Sequence, residues 1–259
     1  FPEGIEGAVL ADQLEKQAKR FGAVIEYGNV ESIRDEGNEK VVMVDGIEHR
    51  TRTILIATGS ANNKLGIPGE SEYYGRGVHF CATCDGAFYR GKNLVVVGGG
   101  NSAIQESIFL TRFANHIDII VRSRVKASEA LQNDLQTYID EGKITLHIGY
   151  TTEEIMATNG KDSSVRIAKD GEEEFVETNG VFIFAGLKPN TEFLQNSGVD
   201  LDALGFVKTD EKLQTNTPGI FCSGDVRSGS TMQIACAVGE GALAAYSIRD
   251  YLLGLAKKA

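Results

Sequence analysis

Two cysteines separated by two residues are the first candidates for chemistry in this 259-residue sequence. Cys81 and Cys84 stand in the run Cys81-Ala82-Thr83-Cys84-Asp85-Gly86. Such a pair can form a redox disulfide or contribute half of a zinc site. A structural zinc site needs four ligands, and no second Cys-x-x-Cys or His pair occurs. We therefore predict a redox pair and no metal. Asp85 either shuttles the proton of thiol–disulfide exchange or forms an Asp-Gly turn.

The remaining cysteines and histidines suggest no further chemistry. Cys222 and Cys236 are fourteen positions apart and are interpreted as small apolar packing residues. The four histidines show no ligand or triad spacing, so we assign them no role. No Gly-x-Ser-x-Gly nucleophile pattern is present, and hydrolase chemistry therefore has no support.

A glycine-rich turn predicts a dinucleotide site. Gly98-Gly99-Gly100-Asn101-Ser102-Ala103 follows an apolar run and opens a helical pattern, as in G-x-G-x-x-G/A. Gly98 makes the tight turn, Gly100 lets the backbone approach a pyrophosphate, and Ala103 permits close helix–strand packing. Asn101 and Ser102 begin the helix, whose free N–H groups favour phosphate. A glycine turn with a purely structural role is the alternative.

Basic residues after the following strand indicate which dinucleotide is bound. An NAD site places Asp or Glu there, about 20 residues beyond the glycines. Here the sequence reads Arg122-Ser123-Arg124-Val125-Lys126, with no carboxylate until Glu129. The positive charges of Arg122, Arg124 and Lys126 fit a 2′-phosphate and favour NADP. A solvated basic loop is the other interpretation.

The elements that must position these groups follow an alternating order. Strands at 94–97, 117–121 and 144–148 alternate with helices at 101–113 and 130–140, which predicts a βαβαβ unit with a parallel sheet. Apolar spacing predicts a helix near 10–21 and another at 234–253. Further strands are predicted at 24–27, 40–44, 53–57, 165–168, 174–177, 181–184 and 220–223, with hairpin turns at 45–46, 170–171 and 179–180.

Two loop-rich stretches divide the chain. Residues 66–69 and 186–190 are rich in glycine and proline and are predicted to be linkers. They give a first outer segment at 1–67, an inserted domain at 68–187 and a second outer segment at 188–259.

Composition excludes several classes of protein. The 26 Lys and Arg against 36 Asp and Glu leave a net charge of −10, with no dense basic cluster for a nucleic acid or an anionic membrane. No apolar run approaches the roughly 20 residues that span a bilayer. Four cysteines are too few for a disulfide-stapled secreted scaffold, so we expect a cytoplasmic location.

Taken together, these segments resemble the low-molecular-weight flavoprotein thioredoxin reductases over essentially the whole chain. The motifs that carry this resemblance are Phe1-Pro2-Glu3-Gly4, Ile56-Ala57-Thr58-Gly59, Ile67-Pro68-Gly69-Glu70, Cys81-Ala82-Thr83-Cys84-Asp85-Gly86, Val97-Gly98-Gly99-Gly100-Asn101-Ser102-Ala103, Gly186-Leu187-Lys188-Pro189-Asn190-Thr191 and Gly219-Ile220-Phe221-Cys222-Ser223-Gly224-Asp225-Val226-Arg227. The resemblance implies an α/β protein with two Rossmann-like nucleotide-binding domains, the second inserted in the first.

The resemblance also implies a homodimeric enzyme that passes electrons from NADPH through FAD to the cysteine pair and on to thioredoxin. Cys81 is then the thiol that attacks the thioredoxin disulfide, Cys84 the one that faces the flavin, and Asp85 the acid–base residue. Cofactor contacts implied in the outer segments are Thr58, Gly59, Gly224, Asp225, Gln233 and Ala235.

The sequence departs from the family pattern in two places. NADPH-using members carry His-Arg-Arg-x-x-x-Arg after the second strand, and only Arg122 matches here. NADH or ferredoxin as electron donor therefore stays an alternative, as does a non-catalytic, nucleotide-binding redox sensor. The FAD-binding βαβ unit with its glycine motif near the N-terminus is also missing. We therefore expect the 259-residue fragment by itself to bind FAD poorly and to be inactive.

Overall fold

The computed structural model describes residues 4–156 and 163–257, so the Phe1-Pro2-Glu3 part of the first motif lies outside the described residues. The contacts divide the chain into two compact units. An outer unit consists of Phe1–Thr58 and Asn190–Ala259, and an inserted unit of Gly59–Pro189. The functional domain borders at 67/68 and 187/188 stay a prediction.

The described residues form helices and strands throughout both units. The α-helices are α1 (Gly7–Arg20), α2 (Ala82–Asp85), α3 (Asn101–Leu110), α4 (Glu129–Asp140) and α5 (Ile234–Ala256). The strands are β1 (Val30–Glu36), β2 (Glu39–Val44), β3 (Ile47–Thr51), β4 (Ile54–Ile56), β5 (Ser60–Asn62), β6 (Val78–His79), β7 (Asn93–Val97), β8 (His116–Val121), β9 (Ile144–Ile148), β10 (Thr151–Met156), β11 (Ser164–Lys169), β12 (Glu172–Glu177), β13 (Gly180–Ile183), β14 (Leu187–Pro189) and β15 (Ile220–Cys222).

A five-stranded parallel sheet organises the inserted unit and confirms the predicted βαβαβ arrangement. Its strand order is β6-β13-β7-β8-β9. Leu94 and Val96 of β7 pack on one face, in a core that includes residues of α3 and α4. Val95 and Val97 join a second core on the other face. This burial on both faces explains why β7 is an unbroken apolar run.

The second face of the sheet is covered by an antiparallel sheet of β10, β11 and β12. Asp170-Gly171 forms the predicted hairpin between β11 and β12, with positive φ at both residues. The hairpin predicted at Asn179-Gly180 is wrong, because β13 pairs in parallel with β6 and β7 rather than with β12. Strand β10 was not predicted, since its Thr151–Met156 sequence is mostly polar.

The outer unit contains a meander of β1, β2 and β3 and a parallel pair of β4 and β15. The predicted Asp45-Gly46 turn joins β2 to β3, again with positive φ at both positions. The strand predicted at 24–27 is wrong: this segment is irregular, and Val24 and Tyr27 are each 84% exposed. A short alternating run without a pairing partner cannot satisfy its backbone as a strand.

The long helices agree with the apolar spacing. Helices α1 and α5 lie where the sequence predicts them, yet α1 has no buried residue and α5 has only Ala244. Among the described residues, no helix has the length and the apolar content that crossing a bilayer requires.

The chain crosses between the two units twice, and the residues next to each crossing are hydrogen-bonded within their own unit. Within the inserted unit, β5 pairs antiparallel with β14, in a register that sets Ser60 opposite Pro189. Within the outer unit, the Thr58 hydroxyl donates to the Asn190 carbonyl at 2.7 Å, and the Asn190 amide donates to the Thr58 carbonyl at 2.8 Å. The two ends of the inserted unit are therefore side by side.

Candidate redox and nucleotide sites

The cysteine pair lies at the start of α2 and is joined as a disulfide. The Cα atoms of Cys81 and Cys84 are 5.3 Å apart, and the sulfur of Cys81 accepts a hydrogen bond from the Cys84 N–H at 3.1 Å. Cys81 is half-buried, whereas Cys84 is exposed. In the reduced pair, this N–H donor stabilises negative charge on the Cys81 sulfur and so favours its thiolate, the nucleophilic form.

Asp85 ends α2 and is not part of an Asp-Gly turn with positive φ. Asp85 has φ −115° and Gly86 has φ −57°, both in the right-handed region. Gly86 is needed for packing instead, because a Cβ there would come within 2.7 Å of Leu110 Cδ2 on α3. Gly86 therefore serves the packing of this turn against α3.

A buried histidine contacts Asp85, which the sequence did not predict. His79 is the last residue of β6 and is 7% exposed. Its Nδ1 lies 3.1 Å from Asp85 Oδ2, and its Nε2 lies 2.7 Å from the Tyr89 hydroxyl oxygen. The sequence analysis assigned His79 no role and did not indicate these contacts. Neither ligand spacing nor triad spacing reveals it, because the contact joins the end of a strand to a short helix six residues on.

The surroundings of His79 keep it neutral. Burial lowers the pKa of His79, and the negative charge of Asp85 opposes this shift only partly. Burial also raises the pKa of Tyr89, with a further contribution from Asp85. A neutral imidazole that accepts from the Tyr89 hydroxyl at Nε2 carries its proton on Nδ1 and donates to Asp85.

The glycine turn between β7 and α3 is tightly packed at Gly98 and open at Gly100. Gly98 has φ +145°, and a Cβ there would come within 2.6 Å of the Phe184 carbonyl oxygen and 2.9 Å of Ala103 Cβ. A Cβ at Gly100 would meet no atom within 4 Å, so the space beside the turn is open. Ala103 is fully buried, as the predicted close packing demands.

The first turn of α3 is free to bind an anion. Asn101 and Ser102 are exposed, and no side chain among the described residues caps the helix at Gly100. The free N–H groups at the start of a helix attract phosphate. The turn thus suits a dinucleotide.

The basic loop after β8 is tied to the start of α3. The Lys126 N–H donates to the Gly99 carbonyl at 2.6 Å, and the Ser128 N–H donates to Asn101 Oδ1 at 2.8 Å. Arg122, Arg124 and Lys126 are all exposed. These bonds hold positive charge beside the glycine turn, where a 2′-phosphate would need it.

The cofactor residues predicted in the outer unit cluster near the start of α5. Gly224, with φ +75°, and Asp225 lie in a 3-10 helix, while Gln233 is the N-cap of α5 and Ala235 is exposed in its first turn. The carboxylate of Asp225 suits the hydroxyls of a ribityl chain, and the uncapped helix start suits a reduced flavin ring. Along the chain, Thr58 and Gly59 follow β4.

One residue that the sequence did not single out supports this cluster. Glu240 accepts from the Gly224 N–H at 2.7 Å and from Arg227 at 2.5 Å. The bond to Arg227 lowers the pKa of Glu240 and keeps it ionised. Glu240 on α5 thereby fixes the turn that carries Asp225. It lies nearly two helical turns into α5, where no local motif marks it.

Known proteins share this chain's sequence and fold. Residues 4–241 match the family described as pyridine nucleotide-disulphide oxidoreductase. Thioredoxin reductases of Bacillus subtilis and Listeria innocua are 39% and 40% identical over 253 residues; these cover 96% of this chain and 79% and 78% of those proteins. The crystal structure of thioredoxin reductase from Streptococcus pyogenes has a TM-score of 0.88 and 36% identity, with 96% of this chain and 81% of that one covered. The chain therefore belongs to the pyridine nucleotide-disulphide oxidoreductase family and, within it, to the thioredoxin reductases.

Proposed function

We propose that this protein is an NADPH-dependent thioredoxin reductase. The observation that carries the proposal is the Cys81–Cys84 disulfide beside Asp85, in the same unit as an open glycine turn flanked by basic residues. The relatives from Bacillus subtilis and Listeria innocua, both named thioredoxin reductase, support thioredoxin as the disulfide substrate. A disulfide that must meet a protein substrate also needs exposed surface, and Phe88, four residues after Cys84, is 79% exposed.

The residues of the pair divide the exchange reaction between them. The Cys81 thiolate attacks one sulfur of the thioredoxin disulfide, which breaks that S–S bond and forms a mixed disulfide. Cys84 then attacks the Cys81 sulfur, which regenerates the Cys81–Cys84 disulfide and releases the second thioredoxin sulfur. Two electrons pass to thioredoxin, and two protons end on its thiols. Asp85 supplies one of these protons, since it is the carboxyl group adjacent to the pair.

FAD, when bound, transfers the two electrons between the nicotinamide and the disulfide. The residues proposed to hold it are Asp225 at its ribityl chain and Gln233 and Ala235 near its ring, with Gly224 and the segment at Thr58 and Gly59 beside it. The start of α5 stabilises negative charge on the reduced ring.

NADPH is the proposed electron donor. Gly98, Gly100 and the exposed N–H groups of α3 hold the pyrophosphate, and Arg122 and Arg124 bind the 2′-phosphate through charge-assisted hydrogen bonds. Lys126 adds a point charge to the same loop. NADH lacks the 2′-phosphate and gains nothing from these residues, so it is expected to reduce the protein less efficiently.

Anaerobic reduction of the full-length, flavin-loaded protein tests this function. NADPH, NADH and reduced ferredoxin are added in turn, and the flavin absorbance is recorded before and after oxidised thioredoxin is supplied. We expect bleaching by NADPH at concentrations where NADH is ineffective, followed by thioredoxin reduction. In the variant Cys84→Ser, NADPH should still bleach the flavin, but the variant should not reduce thioredoxin. Normal turnover by this variant, or no bleaching by either nicotinamide, would contradict the proposal.

A homodimer in the cytoplasm completes the proposal. A protein with few cysteines that acts on thioredoxin is suited to a reducing compartment. Sedimentation of the flavin-loaded protein measures its oligomeric state directly.

A further inference from the structure

We propose that His79 is a positioning residue, which holds one oxygen of Asp85 so that the other transfers protons to the leaving sulfur of the disulfide substrate. This inference rests on the proposed disulfide reductase function and adds a residue to it. His79 would not touch the substrate; it acts through Asp85.

The contacts of His79 leave Asp85 with one engaged oxygen. His79 Nδ1 lies 3.1 Å from Asp85 Oδ2, whereas Oδ1 has no hydrogen-bond partner within the described ranges 4–156 and 163–257. Because the donor fixes Oδ2, rotation of the carboxyl group is restricted and Oδ1 faces one direction. Asp85, one residue beyond the second cysteine, therefore presents Oδ1 in a fixed direction instead of two oxygens that exchange by rotation.

Two aromatic contacts hold the imidazole itself. The ring of His79 stacks on Phe182 of β13 at 5.2 Å between centroids, and it meets the edge of Tyr89 at 5.4 Å. Tyr89 is in turn packed against Gly180, where a Cβ would come within 2.4 Å of the Tyr89 ring. The imidazole is thus locked in plane and direction by the edge of the parallel sheet.

Among residues 4–156 and 163–257, two titratable groups face His79, and both contacts are compatible with the tautomer that the inference needs. Asp85 faces Nδ1 from α2, the Tyr89 hydroxyl faces Nε2 from the 3-10 helix Gly86–Tyr89, and β13 contributes only the apolar Phe182. Since burial lowers the pKa of His79, the ring stays neutral at pH 7 and keeps its Nδ1 proton for the bond to Asp85.

The proton step follows from this arrangement. When the Cys81 sulfur attacks a substrate disulfide, the S–S bond breaks and its electron pair leaves on the departing sulfur. The Oδ1–H bond of protonated Asp85 breaks as an S–H bond forms on that sulfur, and water reprotonates Asp85 afterwards. A departing thiol of low acidity needs this proton, whereas an acidic one leaves readily as a thiolate.

The difference between leaving groups provides the test. The whole chain is reduced with a phosphine, and the phosphine is then removed. The rate at which the reduced protein reacts with each of two small disulfides is measured. Bis(2-hydroxyethyl) disulfide releases a weakly acidic thiol, and 5,5′-dithiobis(2-nitrobenzoate) releases an acidic one. Neither reaction requires flavin, nicotinamide or thioredoxin. Failure of the proposed function, seen as no thioredoxin reduction by the flavin-loaded protein, is therefore distinguishable from failure of this inference.

Four variants define the expected result. We expect Asp85→Asn and His79→Phe each to slow the reaction with bis(2-hydroxyethyl) disulfide by about 10-fold or more. The rate of the reaction with the nitrobenzoate reagent should change by less than about twofold. His79→Asn should recover most of the rate, since its amide can donate from the Nδ1 position. His79→Gln, whose amide reaches the Nε2 position, should not. The Asn and Gln variants keep the test valid if His79→Phe does not fold.

A double mutant and a matched control complete the design. If His79 acts through Asp85, then His79→Phe in the Asp85→Asn background causes no further loss. His147 forms a comparable half-buried pair with Asp118, at 2.8 Å, and His147→Phe should leave both rates unchanged. Equal slowing of both disulfides by His79→Phe, or multiplied losses in the double mutant, would overturn the inference.

Discussion

The four cysteines differ in reactivity because their surroundings differ. Cys81 receives an N–H donor, whereas burial raises the pKa of Cys222 to about 12. We expect Cys222 in the native protein to be unreactive toward a thiol reagent at pH 8, and half-buried Cys236 to react alone while the disulfide is intact. The number of thiols found by titration should therefore rise from one in the native protein to two after unfolding in guanidinium. Two rapidly reacting thiols in the native protein would be inconsistent with the burial of Cys222.

His79 makes stability depend on pH in a definite direction. Because burial lowers its pKa in the folded protein, the unfolded chain binds more protons at this group below its ordinary pKa of about 6.5. The contribution of His79 to stability is therefore full above pH 6.5 and is lost as the pH falls from there toward the folded pKa.

Urea unfolding at pH 7.5, 6.5 and 5.5 measures this effect. The wild-type protein should lose more free energy of unfolding over this range than His79→Asn, which has no group that titrates there. An equal or larger loss in the variant would show that His79 does not carry the pH dependence.

At the residue scale, sequence reasoning succeeds where chemistry is local. The spacing of Cys81 and Cys84 allows a disulfide, and the structure forms one. His79 and Glu240 could not be found in this way, because each reaches its partner through the fold, one from a strand end and one from a long helix. Their contacts depend on tertiary packing, which spacing along the chain does not encode.

Two glycines in the turn between β7 and α3 have different expected roles, Gly98 in stability and Gly100 in nucleotide binding. In Gly98→Ala the new methyl group would approach the Phe184 carbonyl at a φ of +145°, so we expect the free energy of unfolding to fall by roughly 1–3 kcal/mol. Gly100→Ala meets no neighbour and should melt like the wild type, yet its methyl group should obstruct a bound pyrophosphate. Thermal melts and NADPH titrations distinguish the two; weak binding with a lowered melting temperature in Gly100→Ala would contradict this division.

The basic loop should determine selectivity between nicotinamide donors. Replacing either Arg122 or Arg124 by Ala, one at a time, removes a charge-assisted hydrogen bond worth about 1.5–3 kcal/mol. We expect the KM for NADPH to rise by roughly 10- to 100-fold, since each 1.4 kcal/mol is a factor of ten. The KM for NADH should change by less than about threefold. A loss shared equally by both donors would mean that the loop does not read the 2′-phosphate.

At the element scale, the apolar pattern predicts the parallel sheet and the long helices but not every short strand. The runs that became β7, β8 and β9 are rich in Leu, Val and Ile, and a segment long enough for a helix separates each run from the next. This pattern allows few topologies. The polar strand β10 lacks that signal, and the segment at 24–27 has the signal without a partner strand. Pairing partners, rather than local preference, decide such short segments.

For the molecule as a whole, the inserted unit is expected to fold by itself. It is continuous along the chain and has both of its apolar cores within Gly59–Pro189. A fragment of residues 59–189 should therefore unfold cooperatively and bind NADPH without FAD, with Gly100→Ala as the control for specific binding. A fragment without a cooperative transition would show that this unit depends on the outer one.

The pairing of β5 with β14 bears on how such a protein could arise. Since Ser60 lies opposite Pro189, and Thr58 is bonded to Asn190, the inserted unit begins and ends at nearly the same place. A gene segment encoding it could enter or leave a host gene through one in-frame event, and the host chain would need only a tight loop to close the gap. Exchange of this gene segment between related reductases would transfer the cysteine pair and the nicotinamide specificity together.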